Sequence, residues 1–166
     1  MLETMVLSWR TGVSQIKATE YFLIMARLVS RRSTCARRQV GCVLVDEHKH
    51  VLATGYNGVA SGKTHCTDKP CPGAKCKPGE NLDLCEAIHA EQNAILQCKD
   101  SQKIRTAYIT TAPCVTCTKL LLNTSCKTIV FIESYPNSGR KIWNRSWIKY
   151  GPIDDVFAEV LLDTTK

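Results

Sequence analysis

Apolar positions at Ile16, Tyr21, Ile24, Met25, Leu28 and Val29 fall near helical spacing, which predicts a first helix over Ile16–Ser30. Val40–Val45 is apolar and β-branched, the polar stretch Asp46–His50 follows, and Val51–Thr54 is apolar again. That pattern predicts a strand, a short turn and a second strand. Gly55-Tyr56-Asn57-Gly58 then breaks the regular structure. Further on, Glu91–Gln97 reads as a helix, Ala107–Thr111 as a strand, Cys114–Asn123 as a helix and Lys127–Glu133 as a strand. Lys141–Tyr150 is expected to be helical, and Val156–Leu162 to form a last strand or edge element. Residues 1–14 carry no clear pattern and are expected to be a loosely held tail.

Residues 59–82 are rich in Gly, Pro, Lys and Cys and show no periodicity. A loop of that length in a compact domain calls for a function or for a metal that holds it together. Alternating strands and helices after an initial hairpin predict an α/β domain with one mixed sheet. The length of 166 residues suits a single domain over 1–166 with a real core.

Charge and cysteine content narrow the partners and the compartment. Lys plus Arg is 22 against 15 for Asp plus Glu, a formal net charge of +7. That balance favours nucleotide phosphates or nucleic acid without choosing between them, and is equally the charge of a merely soluble surface. No apolar run is long enough to span a bilayer, so no membrane partner is expected. Residues 1–15 lack an apolar stretch ending in a small-residue cleavage site, so no export signal is expected. Without export, the ten cysteines read better as metal ligands than as disulfides, and the expected location is the cytoplasm.

The chemistry is concentrated in His89-Ala90-Glu91 and Pro113-Cys114-Val115-Thr116-Cys117. His89, Cys114 and Cys117 offer three zinc ligands with no fourth in the same motif, and catalytic zinc sites keep one position open for water. Cys114 and Cys117 share one face of a helix's first turn, and Pro113 suits the start of that helix. The positive helix end lowers the pKa of thiols beside it and favours the thiolates that zinc needs. His89 and Glu91 are too close in sequence to face one point from inside a helix, so the helix is predicted to begin near His89. Zinc at that point lowers the pKa of a water, and Glu91, near but not a ligand, can move its proton. Singly, His-Ala-Glu is common, and Cys-x-x-Cys is as often a structural half-site or a redox pair. Together, with a strand leading into Pro113, they point to a zinc hydrolase and match the signature of the zinc nucleobase deaminases.

The segments 32–41 (Arg-Ser-Thr-Cys-Ala-Arg-Arg-Gln-Val-Gly), Gly55–Gly58, His65-Cys66 and 89–95 (His-Ala-Glu-Gln-Asn-Ala-Ile) resemble the deoxycytidylate (dCMP) deaminases. The resemblance runs from about residue 20 to 133. It implies a cytidine deaminase-like fold, a three-layer α/β/α domain with a five-stranded mixed sheet. It also implies hydrolysis of dCMP to dUMP and ammonia, a supply route to thymidylate. Carried across, His89, Cys114 and Cys117 would hold the catalytic zinc, Glu91 would shuttle protons and Asn57 would hydrogen-bond the deoxyribose. The monophosphate needs a fixed cation of guanidinium geometry, for which Arg37 stands ahead of Arg38. Members of the family are commonly hexamers activated by dCTP and inhibited by dTTP. This implies triphosphate binding, with Mg2+, near residues 55–62, where the chain has Ala60 in place of the more usual proline.

Some relatives share cysteines matching Cys35, Cys66, Cys71 and Cys85, which implies a second, structural zinc, with Cys76 or His65 as substitutes. The alternative is that several of these are free or simply packed as small hydrophobes, as expected for Cys42, Cys98 and Cys126. Other functions would share the catalytic motif. A free cytidine deaminase is one. A tRNA adenosine deaminase would suit the charge and would need a basic groove for a splayed loop. The segment from Arg32 to Cys35 and Asn93 resemble the nucleotide enzyme instead, so no obligatory nucleic acid is expected. A zinc-stabilised nucleic-acid-binding module without activity would have no use for Glu91 beside an open metal position.

Overall fold

The computed structural model describes residues 15–77, 80–81, 84–151 and 153. The tail over 1–14 and the strand expected at Val156–Leu162 lie outside the described residues. The first helix, α1 (Ala18–Ser30), carries Glu20 in its first turn and Arg27 in its last, charges that complement the helix dipole. It buries Phe22, Leu23 and Ala26 against one face of the sheet. The strands β1 (Gly41–Val45) and β2 (Val51–Tyr56) pair antiparallel as the predicted hairpin. Then come α2 (Ala90–Gln97), β3 (Thr106–Thr111), α3 (Val115–Leu122) and β4 (Thr128–Glu133).

Five strands form one mixed sheet in the order β2-β1-β3-β4-β5, with β5 at Ser146–Lys149. The pairs β2–β1 and β1–β3 are antiparallel, and β3–β4 and β4–β5 are parallel. Both faces are covered, which is why β1 and most of β3 and β4 are buried throughout rather than alternating. Val43, Val45, Tyr108 and Val130 pack with α1 on one side. Cys42, Leu44, Ile109 and Phe131 pack with Ala90 and Ala94 of α2 and Leu121 of α3 on the other. The three-layer α/β/α reading is therefore correct, and Cys42 and Cys126 are core residues with Cys98 packed against them.

Two glycines let the helices approach. A Cβ on Gly41 would meet Ala26 O at 1.9 Å, and one on Gly55 would meet Ala90 O at 2.3 Å and Ala94 N at 2.4 Å. Gly55 thus sets how near the start of α2 comes to the sheet.

One expected element is corrected. Lys141–Tyr150 is not a helix: a single 3-10 turn at Gly139–Lys141 leads to β5, which runs parallel to β4. Ile142, Trp143, Trp147, Ile148 and Tyr150 fit either period, and pairing with β4 decides. Trp143 turns fully inward and Trp147 packs edge-on against Phe131, their centroids 5.3 Å apart.

The long loop after β2 is pinched at its base by a bridge between Gly58 and Ile88, with N–H to O distances of 3.1 and 2.8 Å. Gly73 N also donates to Leu84 O at 2.8 Å, which folds the loop back on itself. Among the described residues, no helix is long and apolar enough to cross a membrane.

Candidate active site

The antiparallel hairpin and the parallel strands bring the start of β1, the end of β2, the ends of β3 and β4 and the start of α2 to one edge of the sheet. At that edge, β3 leads through Ala112 and Pro113 to Cys114, the residue capping the start of α3. Ala112 N donates to Glu133 O at 2.8 Å and Gly139 N to Pro113 O at 2.9 Å, so the turn carrying Cys114 is held from both sides. Cys117 follows in the first turn, with its N–H donating to Cys114 Sγ at 3.5 Å.

Opposite, α2 begins at Ala90 with His89 as its cap, as the spacing of His89 and Glu91 predicts. The His89 N–H donates to the Gln92 side chain at 2.8 Å, and Asn93 Nδ2 donates to Tyr56 O at 2.8 Å. The helix start is thereby tied to the end of β2.

His89 Nδ1 lies 3.5 Å from Cys114 Sγ and 3.4 Å from Cys117 Sγ. Zinc bonded tetrahedrally to sulfur at about 2.3 Å and to nitrogen at about 2.0 Å would place those atoms about 3.5 Å apart, so the three fit the ion. Among the described residues, this is the one group of His, Cys, Asp or Glu whose ligand atoms, three or more, lie within 4.8 Å of one another. Hydrogen bonds from Cys117 and His89 hold the Cys114 thiol down at about 4, deep in the thiolate range. Its bond to Cys114, and then burial, push the Cys117 thiol up. The bond to Cys114 raises His89. Glu91 is 4% exposed, and burial raises its carboxyl above the ordinary value, so it holds a proton more readily than an exposed carboxyl would.

One pocket contains His89, Glu91 and Cys114, and its walls include Asn57, Arg37, Arg38 and Tyr135. It is a concave site with a metal-ligating floor and cationic walls. Residues 16–133 of the chain match the model of the cytidine and deoxycytidylate deaminase zinc-binding region. The chain belongs to this family.

Deoxycytidylate deaminase of Schizosaccharomyces pombe (strain 972 / ATCC 24843) is 40% identical over 121 residues, covering 69% of this chain and 37% of that protein. Deoxycytidylate deaminase of Mycobacterium phage D29 is 36% identical over 118 residues, 68% of this chain and 91% of the phage protein. The chain thus spans little more than a third of the yeast relative and nearly all of the phage one. The dCMP deaminase from the cyanophage S-TIM5, solved in complex with dCMP and dUMP, superposes with a TM-score of 0.66 at 27% identity, over 82% of this chain and 100% of that one. As a member of this family, the chain carries a zinc-binding region, for which His89, Cys114 and Cys117 are the candidate ligands.

The remaining expected site residues are Asn57, the two arginines and the further cysteines. Asn57 and both arginines share the pocket with Glu91, but differ in freedom. Arg37 Nη2 donates to Lys77 O and to Glu80 O, the latter at 3.2 Å. Arg38 Nη1 is buried in the pocket wall without a hydrogen-bond partner. Asn57 is 7% exposed: its Oδ1 accepts from Ser33 Oγ at 2.7 Å and Val40 N at 2.8 Å, and its Nδ2 donates to Arg38 O at 2.7 Å. It organises the segment that carries Arg38.

Of the further cysteines, Cys66 and Cys71 meet with Sγ atoms 3.2 Å apart, and Cys35 and Cys85 line the neighbouring pocket. Those four do not gather within 4.8 Å. Cys76 instead accepts from Asn81 Nδ2 at 3.7 Å, and His65 lies 3.8 Å from Asp68. Sequence reasoning missed Glu133, the last residue of β4, and Tyr135 just beyond it, which belong to no motif; a polar residue closing a buried strand is the only signal.

Proposed function

We propose that this deaminase hydrolyses dCMP to dUMP and ammonia, a cytoplasmic supply of dUMP for thymidylate synthesis. The observation that carries the reading is one pocket lined by His89 and Cys114 of the His89–Cys114–Cys117 ligand set, by the buried Glu91 and by Arg38, whose Nη1 lacks a hydrogen-bond partner. The deoxycytidylate deaminases to which the chain is similar support the substrate.

Zinc held by His89, Cys114 and Cys117 would supply a water acidic enough to attack a ring carbon at neutral pH. Glu91 takes one proton of the water whose oxygen bonds to C4 and carries it to N3 of cytosine. Glu91 then takes the remaining proton of the hydroxyl at C4 and delivers it to the amino group, which leaves as ammonia as the C4–N bond breaks and the carbonyl forms. Its burial keeps bulk water from competing for that proton. Asn57 uses one Nδ2 hydrogen on Arg38 O, which leaves the other to donate to the deoxyribose hydroxyl. Arg38 presents its free Nη1 to the monophosphate, with Arg37 adding positive charge from beside the loop it ties.

Finer features belong to the same proposal. The buried Cys66–Cys71 pair forms half of a structural zinc site, completed by Cys35 and Cys85 or by Cys76 or His65. Regulation by dCTP and dTTP, with Mg2+, through the turn at 55–62 and assembly as a hexamer extend from the family resemblance. None of the ten cysteines is paired in a disulfide, which suits a reducing compartment.

The test is the ultraviolet absorbance change of zinc-loaded protein with dCMP, deoxycytidine, CMP and a tRNA anticodon stem-loop in parallel, with dCTP supplied. Selective turnover of dCMP is expected. Glu91→Ala should lower it by about a hundredfold or more with zinc content unchanged. Turnover of only the nucleoside or the RNA would overturn the substrate. No turnover at all would overturn the enzyme reading.

A further inference from the structure

Arg38 Nη1 is the one side-chain nitrogen or oxygen, among the described residues, that is buried without a hydrogen-bond partner. Glu133 Oε2 lies 4.0 Å from it, close enough to feel its charge and too far to accept its hydrogen. The Tyr135 ring centroid lies 5.9 Å from the guanidinium carbon. Arg38 lines the pocket, and its buried Nη1 lies near an aromatic ring and a carboxylate without a hydrogen bond to either.

Glu133 is fixed at this place. It is the last residue of β4, its carbonyl accepts Ala112 N at 2.8 Å, and the Thr111 hydroxyl reaches its Oε2 at 3.5 Å. Thr111, Ala112 and Tyr135 line the pocket, while the Glu133 side chain is 58% exposed. Its exposed carboxylate thus stands beside Arg38, next to the pocket wall formed by Thr111, Ala112 and Tyr135.

We propose that Glu133 is a specificity-determining residue that limits the negative charge accepted at the Arg38 end of the pocket. It admits a nucleoside 5′-monophosphate and disfavours the 5′-diphosphate of the same nucleoside. The inference rests on the proposed contact between Arg38 and the substrate phosphate. A first phosphate meets the free Nη1. A second would extend outward and bring further negative charge against the Glu133 carboxylate. One such like-charge contact near a surface weakens binding by about tenfold, and salt screens it.

Competitive inhibition of dCMP turnover by deoxycytidine 5′-diphosphate tests this in the zinc-loaded full chain, comparing wild type with Glu133→Gln and Glu133→Asp. In Glu133→Gln, the inhibition constant should fall about tenfold further than KM for dCMP does, and the excess should shrink at high salt. Glu133→Asp should keep the wild-type ranking. If the Gln variant moves both constants by one factor, or moves neither, Glu133 does not discriminate charge and the inference fails. Arg38→Ala tells that failure from a failure of the phosphate contact. A raised KM for dCMP beside a flat Glu133→Gln result removes only the role of Glu133. An unchanged KM in Arg38→Ala removes the phosphate contact and the inference with it.

Discussion

Asn57 shows how a residue read as a ligand contact is also part of the frame. A Gly-Tyr-Asn-Gly turn points to substrate, yet the structure surrounds the Asn57 amide with Ser33, Val40 and the Arg38 carbonyl. Nothing local announces those partners, because they lie 17 to 24 residues away in sequence. Asn57→Ala would leave buried donors and a carbonyl unpaired, at about 1–3 kcal/mol each. We expect it to lower stability by roughly 2–4 kcal/mol in denaturant unfolding and to raise KM for dCMP as Arg38 loses its position. A stability loss with unchanged KM would confine Asn57 to the frame. The zinc ligands were legible for the opposite reason: their spacing encodes a helix cap and a helix first turn, which are local. Tyr135 and Glu133 were not, since their roles come from the neighbouring strand and from Arg38.

The same contrast holds for elements. α1, the hairpin, α2, β3, α3 and β4 stand where periodicity puts them, because each buries a face whose pattern is written in its own residues. β5 was misread because an edge strand paired on one side only, with Ile148 and Lys149 exposed, lacks a clean alternation. Gly55 carries information that no pattern shows, namely the closeness of α2 to the sheet. Gly55→Ala must push back the helix start that bears His89 and Glu91. We expect a loss of roughly 1–3 kcal/mol in thermal unfolding together with weaker zinc retention against a chelator. Wild-type zinc retention would show that the site tolerates the shift.

The β1–β2 turn gives a pH-dependent case. Desolvation pulls the Asp46 carboxyl up, but hydrogen bonds from His50 and His48 outweigh it and hold the carboxyl below its ordinary value. A lowered carboxyl pKa adds stability above the ordinary carboxylate value, and that stability is lost as pH falls through the lowered one. Asp46→Asn should therefore melt below wild type at neutral pH, and the difference should close on acidification. A gap that persists at low pH would assign it to lost shape instead of charge.

At the scale of the molecule, a net charge of +7 surrounds a pocket proposed to take an anionic substrate. The field should speed encounter, so kcat/KM for dCMP should fall as ionic strength rises, while kcat/KM for uncharged deoxycytidine stays level. Equal salt effects on the two would show that the charge serves solubility alone. The sheet topology has one more result. Every segment that builds the pocket leaves the sheet at one edge, and the turn at Asp46–His50, the 3-10 turn at Ser101–Lys103 and the α3–β4 connection lie at the other. Evolution can therefore lengthen, shorten or decorate those connections at a cost in stability while the chemistry stays constant. A protein engineer has the same freedom: a reporter domain or an affinity handle inserted between His48 and His50 would ride on the domain without entering the pocket.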